Sequence, residues 1–284
     1  MSIWNLRRLL RHAAFAALAF TTAPLSACRD AGDITGSIGE VERPLPSGDV
    51  ELRAYVDSWA SRYDAEPGGK IASINYARGL RAMTRFKEAV AVMQAAAIKA
   101  PKDFDVIGAF GKALADNGEL IQAKDVLTRA YTNERPNWSV MSVQGSVADQ
   151  LGDHPSAQEF YRNALLIVPG EPSILSNLGL SYALTKQLSA AEDALRQASA
   201  SPRADRRVRD NYALILALEG KFKQAEEVSR QDMSPVEAAA NIAAIRQMIA
   251  QSNAWKDIQA IDAKTKRGKA SAPVLAPAAD APTG

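Results

Sequence analysis

The chain has 284 residues, 47% hydrophobic and 23% charged, which is enough apolar material to build a folded domain. Lysine and arginine total 34 against 32 acidic residues, so the broad basic footprint of a nucleic-acid binder is missing. One cysteine excludes an internal disulfide, and one cysteine with two histidines falls short of the four ligands of a structural zinc site.

In chain order, the first predicted element is an export signal over residues 1–27. Arg7, Arg8, Arg11 and His12 form a basic start, and Ala13–Phe20 is an apolar run too short to span a bilayer as a helix. The run leads to Leu25-Ser26-Ala27-Cys28, which resembles a bacterial lipobox. That resemblance implies cleavage before Cys28 and acylation of its thiol and amine, two chains or more being sufficient for stable anchoring. Arg29 rather than Asp follows the cysteine, which favours an outer-membrane address, with the chain facing the periplasm. Removal of the signal takes away three arginines and leaves 31 basic against 32 acidic residues, so the net charge of +2 belongs to the segment that is discarded. Residues 28–48 carry Gly32, Gly36, Gly39, Pro44, Pro46 and Gly48 and read as a flexible tether. About 20 residues of coil reach on the order of 25 Å.

A capping helix is expected over 49–67, with Leu52, Tyr55, Val56 and Trp59 on one face. Beyond it, a pair of small residues twelve apart recurs every 34 residues: Ala77/Ala89, Gly111/Ala123, Gly145/Ala157, Gly179/Ala191 and Ala213/Ala225. A fixed period of this size marks stacked helical hairpins. Asn117-Gly118, Leu151-Gly152-Asp153 and Glu219-Gly220 supply turns within hairpins. Pro101, Pro136, Pro169, Pro202 and Pro235 are expected to close the units. Five units fill 68–235, a second capping helix is expected over 236–260 (Ala239, Ile242, Ile245, Ile249), and an Ala/Pro-rich tail over 261–284 is expected to be disordered.

Asn177-Leu178-Gly179-Leu180-Ser181-Tyr182-Ala183 resembles the first-helix signature of the tetratricopeptide repeat (TPR). Ala191-Glu192-Asp193-Ala194-Leu195 and Ala157–Leu165, with Pro169 after it, resemble the second-helix signature. The resemblance implies an all-α fold, a TPR solenoid of about five helix-turn-helix repeats with helical caps at both ends. The fifth copy departs from the pattern at Ser229 and Asp232, where apolar or small residues are expected. Val208-Arg209-Asp210-Asn211-Tyr212-Ala213-Leu214 followed by Glu219-Gly220-Lys221-Phe222-Lys223-Gln224-Ala225-Glu226 resembles the last copy in the TPR lipoproteins of Tad-type (Flp) pilus assembly, the TadD-like family. That family often has Leu where Tyr212 stands. The resemblance implies a pilotin-like assembly factor that helps a pilus secretin assemble, localise or stay stable. The same fold and anchor also suit a periplasmic TPR adaptor of another envelope machine, for outer-membrane protein insertion, cell-wall synthesis or polysaccharide export.

No catalytic reading survives in the residues. His12 leaves with the signal, and His154 stands alone in the turn Gly152-Asp153-His154-Pro155, where a solvated ring is expected. Neither a phosphate-binding glycine loop nor a nucleophile elbow is present, so no cofactor, metal, nucleic acid or small-molecule substrate is expected. The expected partner is a protein, held along the first helices. Candidate groove residues are Arg78 and Arg81 in the first copy and Leu180, Leu184, Arg207, Asn211 and Leu214 in the fourth and fifth. Asn211 is equally suited to capping local backbone. The Lys/Asn/Arg clamp by which some TPR proteins hold a chaperone's C-terminal carboxylate is not reproduced in consecutive copies.

Overall fold

A computed structural model describes residues 45–251; the signal, Cys28, most of the expected tether, the end of the second capping helix and the tail lie outside the described residues. Every described element is a helix. α1 (Asp49–Ala65) is followed by five hairpins: α2 (Lys70–Ala82) with α3 (Phe86–Lys99), α4 (Phe104–Asp116) with α5 (Leu120–Leu127), α6 (Trp138–Leu151) with α7 (His154–Ile167), α8 (Pro172–Leu184) with α9 (Leu188–Ser199), and α10 (Arg206–Leu218) with α11 (Phe222–Ser229). A last helix, α12, covers 235–251.

First helices begin at Lys70, Phe104, Trp138, Pro172 and Arg206, and second helices at Phe86, Leu120, His154, Leu188 and Phe222, all in the 34-residue register. The residue ahead of four first helices accepts hydrogen bonds from the opening turn: Asp103 from the Asp105 and Val106 amides, Asn137 from Ser139 and Val140, Glu171 from Ser173, and Asp205 from Val208. Each satisfies amide donors that a helix start otherwise leaves unpaired. Inside the hairpins the turn needs one left-handed residue, and the register supplies Thr84, Gly118, Gly152, Lys186 and Gly220 there, all with φ between 59° and 88°. Thr84 and Lys186 hold that conformation against their own Cβ, at a cost of roughly 1–2 kcal/mol each.

The recurrent small residues do not bring the two backbones together over empty space. A second-helix side chain sixteen residues further on fills the room: Met93 over Ala77, Leu127 over Gly111, Tyr161 over Gly145 and Leu195 over Gly179, each at most 2% exposed. A Cβ added at Gly145 would lie 2.6 Å from the Tyr161 ring, and one at Gly179 2.7 Å from Leu195 Cγ. In the fifth hairpin the pair is Ala213 and Ser229, and the buried Ser229 hydroxyl has no hydrogen-bond partner.

Two further departures from expectation have local causes. Pro235 opens α12 instead of closing the fifth unit, since a proline in the first turn forfeits no helical hydrogen bond. α5 and α11 stop after eight residues, against twelve to fourteen in α3, α7 and α9. After α5 the chain runs without helix over 128–137, where Ala130 is buried and the Tyr131 hydroxyl donates to Gln144 Oε1 of α6 at 2.9 Å.

Candidate partner-binding face

The backbones of successive first helices approach one another closely, whereas those of no two second helices do among the described residues. The stack is therefore tighter along the first-helix layer, and that layer forms the inner face of the curve. Residues at the same repeat position line up along it: Arg78, Lys112, Ser146, Leu180 and Leu214 form one row, and Ile74, Gly108, Ser142, Ser176 and Asp210 another. The chemistry changes along the stack, from cations through hydroxyls to leucines.

The N-terminal end is held by charge. Lys70 Nζ reaches Asp103 at 2.8 Å and Asp105 at 2.7 Å, and Arg81 Nε reaches Asp116 at 2.7 Å. Burial works against the charge on Lys70, but the two carboxylates outweigh it and raise its pKa above the ordinary lysine value. Arg78 Nη1 lies 3.5 Å from Asn75 Oδ1, a weak hydrogen bond. Arg78 and Arg81 are thus partly committed to the scaffold. Beside Lys70, Trp59, Arg62 and Ile71 line an open hollow of about 380 Å³, with the Arg62 guanidinium 4.3 Å from the Trp59 ring centre.

In the middle, Asp149 gathers three donors from two repeats. Its Oδ1 accepts from Ser181 of α8 and faces His154 Nδ1, both at 2.8 Å, and its Oδ2 accepts from the Tyr161 hydroxyl at 3.3 Å. Burial, then the Asp149 charge, pushes the Tyr161 phenol up, so that it stays protonated. His154 is not a solvated turn residue: it is the first residue of α7, and its side chain is only 15% exposed against Asp149. The arrangement ties repeats together and leaves no activated nucleophile, because Ser181 donates to the carboxylate and not to the imidazole. Among the described residues no group of three or more His, Cys, Asp or Glu side chains could hold a metal, and no helix is long and apolar enough to cross a membrane.

At the C-terminal end, Leu180, Leu184 and Leu214 are half-buried on neighbouring first helices. Asn211 does not cap backbone: its amide donates to Ser176 Oγ of α8 at 3.0 Å and fixes α10 against the preceding repeat. Arg207 projects into solvent, 86% exposed, and pairs with Asp205 at 3.0 Å. The seven groove candidates therefore form two groups, Arg78 and Arg81 in the first repeat and the other five in the fourth and fifth. The sequence reading missed the Trp59 hollow, because it assigned α1 only a capping role, and the Asp149 node, whose members are scattered from 149 to 181.

No family model matches the chain, and no curated protein matches it. Solved structures do. PilW, a widely conserved type IV pilus biogenesis factor, superposes with a TM-score of 0.58 over 71% of this chain and 91% of its own, at 15% identity. A thermophilic TPR protein of Thermus thermophilus, TTC0263, gives 0.52 over 59% and 91%, at 21% identity. A chain of the APC/C hetero-tetramer Cut9–Hcn1 gives 0.55 at 18% identity, over 68% of this chain and 40% of that longer one. The fold is the tetratricopeptide repeat. The TPR hairpins are α2 to α11, with α1 and α12 packed on the two ends of the stack.

Proposed function

We propose that this chain is a non-enzymatic TPR scaffold that holds a protein segment along its inner face and helps assemble, localise or stabilise the secretin of a Tad-type (Flp) pilus. The observation that carries the reading is the row Arg78, Lys112, Ser146, Leu180, Leu214, whose side chains pass from charged to apolar on five adjacent helices. An apolar partner segment with polar flanks suits the leucine end, where Leu180, Leu184 and Leu214 keep part of their surface in water. The motif run from Val208 to Glu226 and the similarity of the fold to a type IV pilus biogenesis factor support the pilus assignment. The Leu25–Cys28 lipobox and the tether after it support an outer-membrane anchor facing the periplasm.

The test is recovery of the secretin with a C-terminally tagged chain from crosslinked, solubilised membranes. Recovery is expected with the native chain and lost when Leu180, Asn211 and Leu214 are replaced together. Deletion of the protein is expected to reduce secretin multimers and surface pili. Wild-type levels of both would reject the pilus role, and recovery of a different envelope complex would reassign the scaffold to that machine. Cys28→Ser is expected to shift the protein from membranes to the soluble fraction.

A further inference from the structure

On the outer layer, α5 ends early. Leu127, the last residue of α5, stands in register with Met93 of α3, yet α3 runs six residues further to Lys99. A hollow of about 230 Å³ opens there, floored by Ile107 and Phe110 of α4 and walled by Ala97 and Ile98 of α3. Ile98 is 75% exposed, an unusual position for an isoleucine beside an apolar cavity.

Gln94, Gln122 and Arg129 line the hollow, and no carboxylate does. None of the three side chains forms a hydrogen bond or ion pair with another described residue, although ion pairs are abundant elsewhere on the surface, as at Arg85–Glu88 and Arg196–Asp193. An open hollow with an apolar floor, and a cation and two amides at its lip, fits an aliphatic side chain with a carboxylate beside it.

We propose that this outer hollow is a docking site for a protein segment that presents an aliphatic side chain next to a carboxylate. The site is separate from the inner face, and it stands or falls independently of the pilus role. It seats one anchor residue, as its volume allows, and takes its selectivity from Arg129.

The probe is N-acetyl-leucine, which carries both groups, observed by saturation-transfer NMR with the full chain in detergent. Saturation of the leucyl methyls is expected, with a half-saturation in the millimolar range, on the order expected for so small a ligand. Ile98→Asp and Arg129→Gln should each weaken it by about fivefold or more, and N-acetyl-leucine amide should bind the native chain more weakly by a similar factor. Both positions are exposed, so circular dichroism and the melting temperature should stay unchanged. Should Ile98→Asp fail to fold, Arg129→Gln and the amide probe still decide. Equal saturation in both variants, or loss only on replacing Leu180 and Leu214, would overturn the proposal.

Discussion

The third and fifth hairpins solve one packing problem with different materials. In the third, Gly145 leaves a hole and the Tyr161 ring fills it, with its hydroxyl joined to Asp149. In the fifth, Ala213 and Ser229 meet at the same two positions, the space is shared by two small side chains, and a buried hydroxyl goes without a partner. A repeat of fixed length can thus be filled by one large side chain or by two small ones, and the difference lies in one residue pair sixteen apart. The fifth hairpin is also held from outside. Arg209 of α10 binds Asp232, just past α11, through two hydrogen bonds at 2.5 and 2.6 Å, and Ile242 of α12 packs into the same cluster as Ala213 and Ala225.

The largest test of this contrast is truncation at the filling residue. Tyr161→Ala should cost roughly 3–5 kcal/mol by chemical denaturation, as aromatic deletions in packed cores do. Ser229→Ala should be neutral or stabilising by up to about 1 kcal/mol, because it removes an unpaired buried hydroxyl. Equal losses at the two sites would erase the distinction between the hairpins.

Next in size is Asp149→Ala, which leaves the fully buried Ser181 hydroxyl and the Tyr161 phenol without their acceptor. A loss of roughly 2–3 kcal/mol is expected, with the third and fourth repeats losing amide exchange protection together. Confinement of the lost protection to α6 alone would mean that the node does not couple repeats.

The external clamp on the fifth hairpin predicts a pH dependence. Hydrogen bonds from Arg209 hold the Asp232 carboxyl below the usual carboxylate range. Its contribution to stability is therefore complete above the ordinary aspartate value of about 3.9 and is lost as pH falls through the lower folded value. Asp210 on the same helix is shifted upward, chiefly by burial, and acts in the opposite sense over the window above that value. The stability difference between the native chain and Asp232→Asn reports the clamp, less the part of the Asp210 shift that the Asp232 charge causes, and it should shrink as pH falls below about 4. A difference that grows on acidification would contradict the assigned pairing.

The smallest effect concerns the turns. Thr84→Gly and Lys186→Gly should each stabilise by about 1 kcal/mol or less, since glycine relieves the left-handed strain but adds freedom to the unfolded chain. The same glycine is already in place at 118, 152 and 220, so the gain should bring hairpins one and four into line with the other three.

Much of the architecture was legible in the sequence because geometry enforces it at a fixed interval. The Gly/Ala pairs gave the hairpin register, and the turn glycines at 118, 152 and 220 marked the same period. Acceptors at 103, 137, 171 and 205 repeat it a third time and were equally available. The early end of α5 was not legible: Val126, Leu127 and Ala130 continue a helical pattern, whereas in the fold Ala130 is buried outside the helix near Gly108 of α4 and Tyr131 bonds to Gln144 of α6. The candidate partner face was only half legible. Periodicity told which positions lie in one row, but whether Asn211 points to solvent, to backbone or to Ser176 depends on a neighbouring helix 35 residues away.

The non-helical stretch over 128–137 keeps the count of the repeat while giving up its helix, since Trp138 still begins α6 in register. Asn133 and Glu134 at its tip are exposed, and no packing between hairpins runs through their side chains. That makes the tip a natural graft point. A fluorophore, an epitope or a small folded domain inserted between Asn133 and Glu134 would ride on the outside of the stack, leaving the spacing of the hairpins on either side as it was.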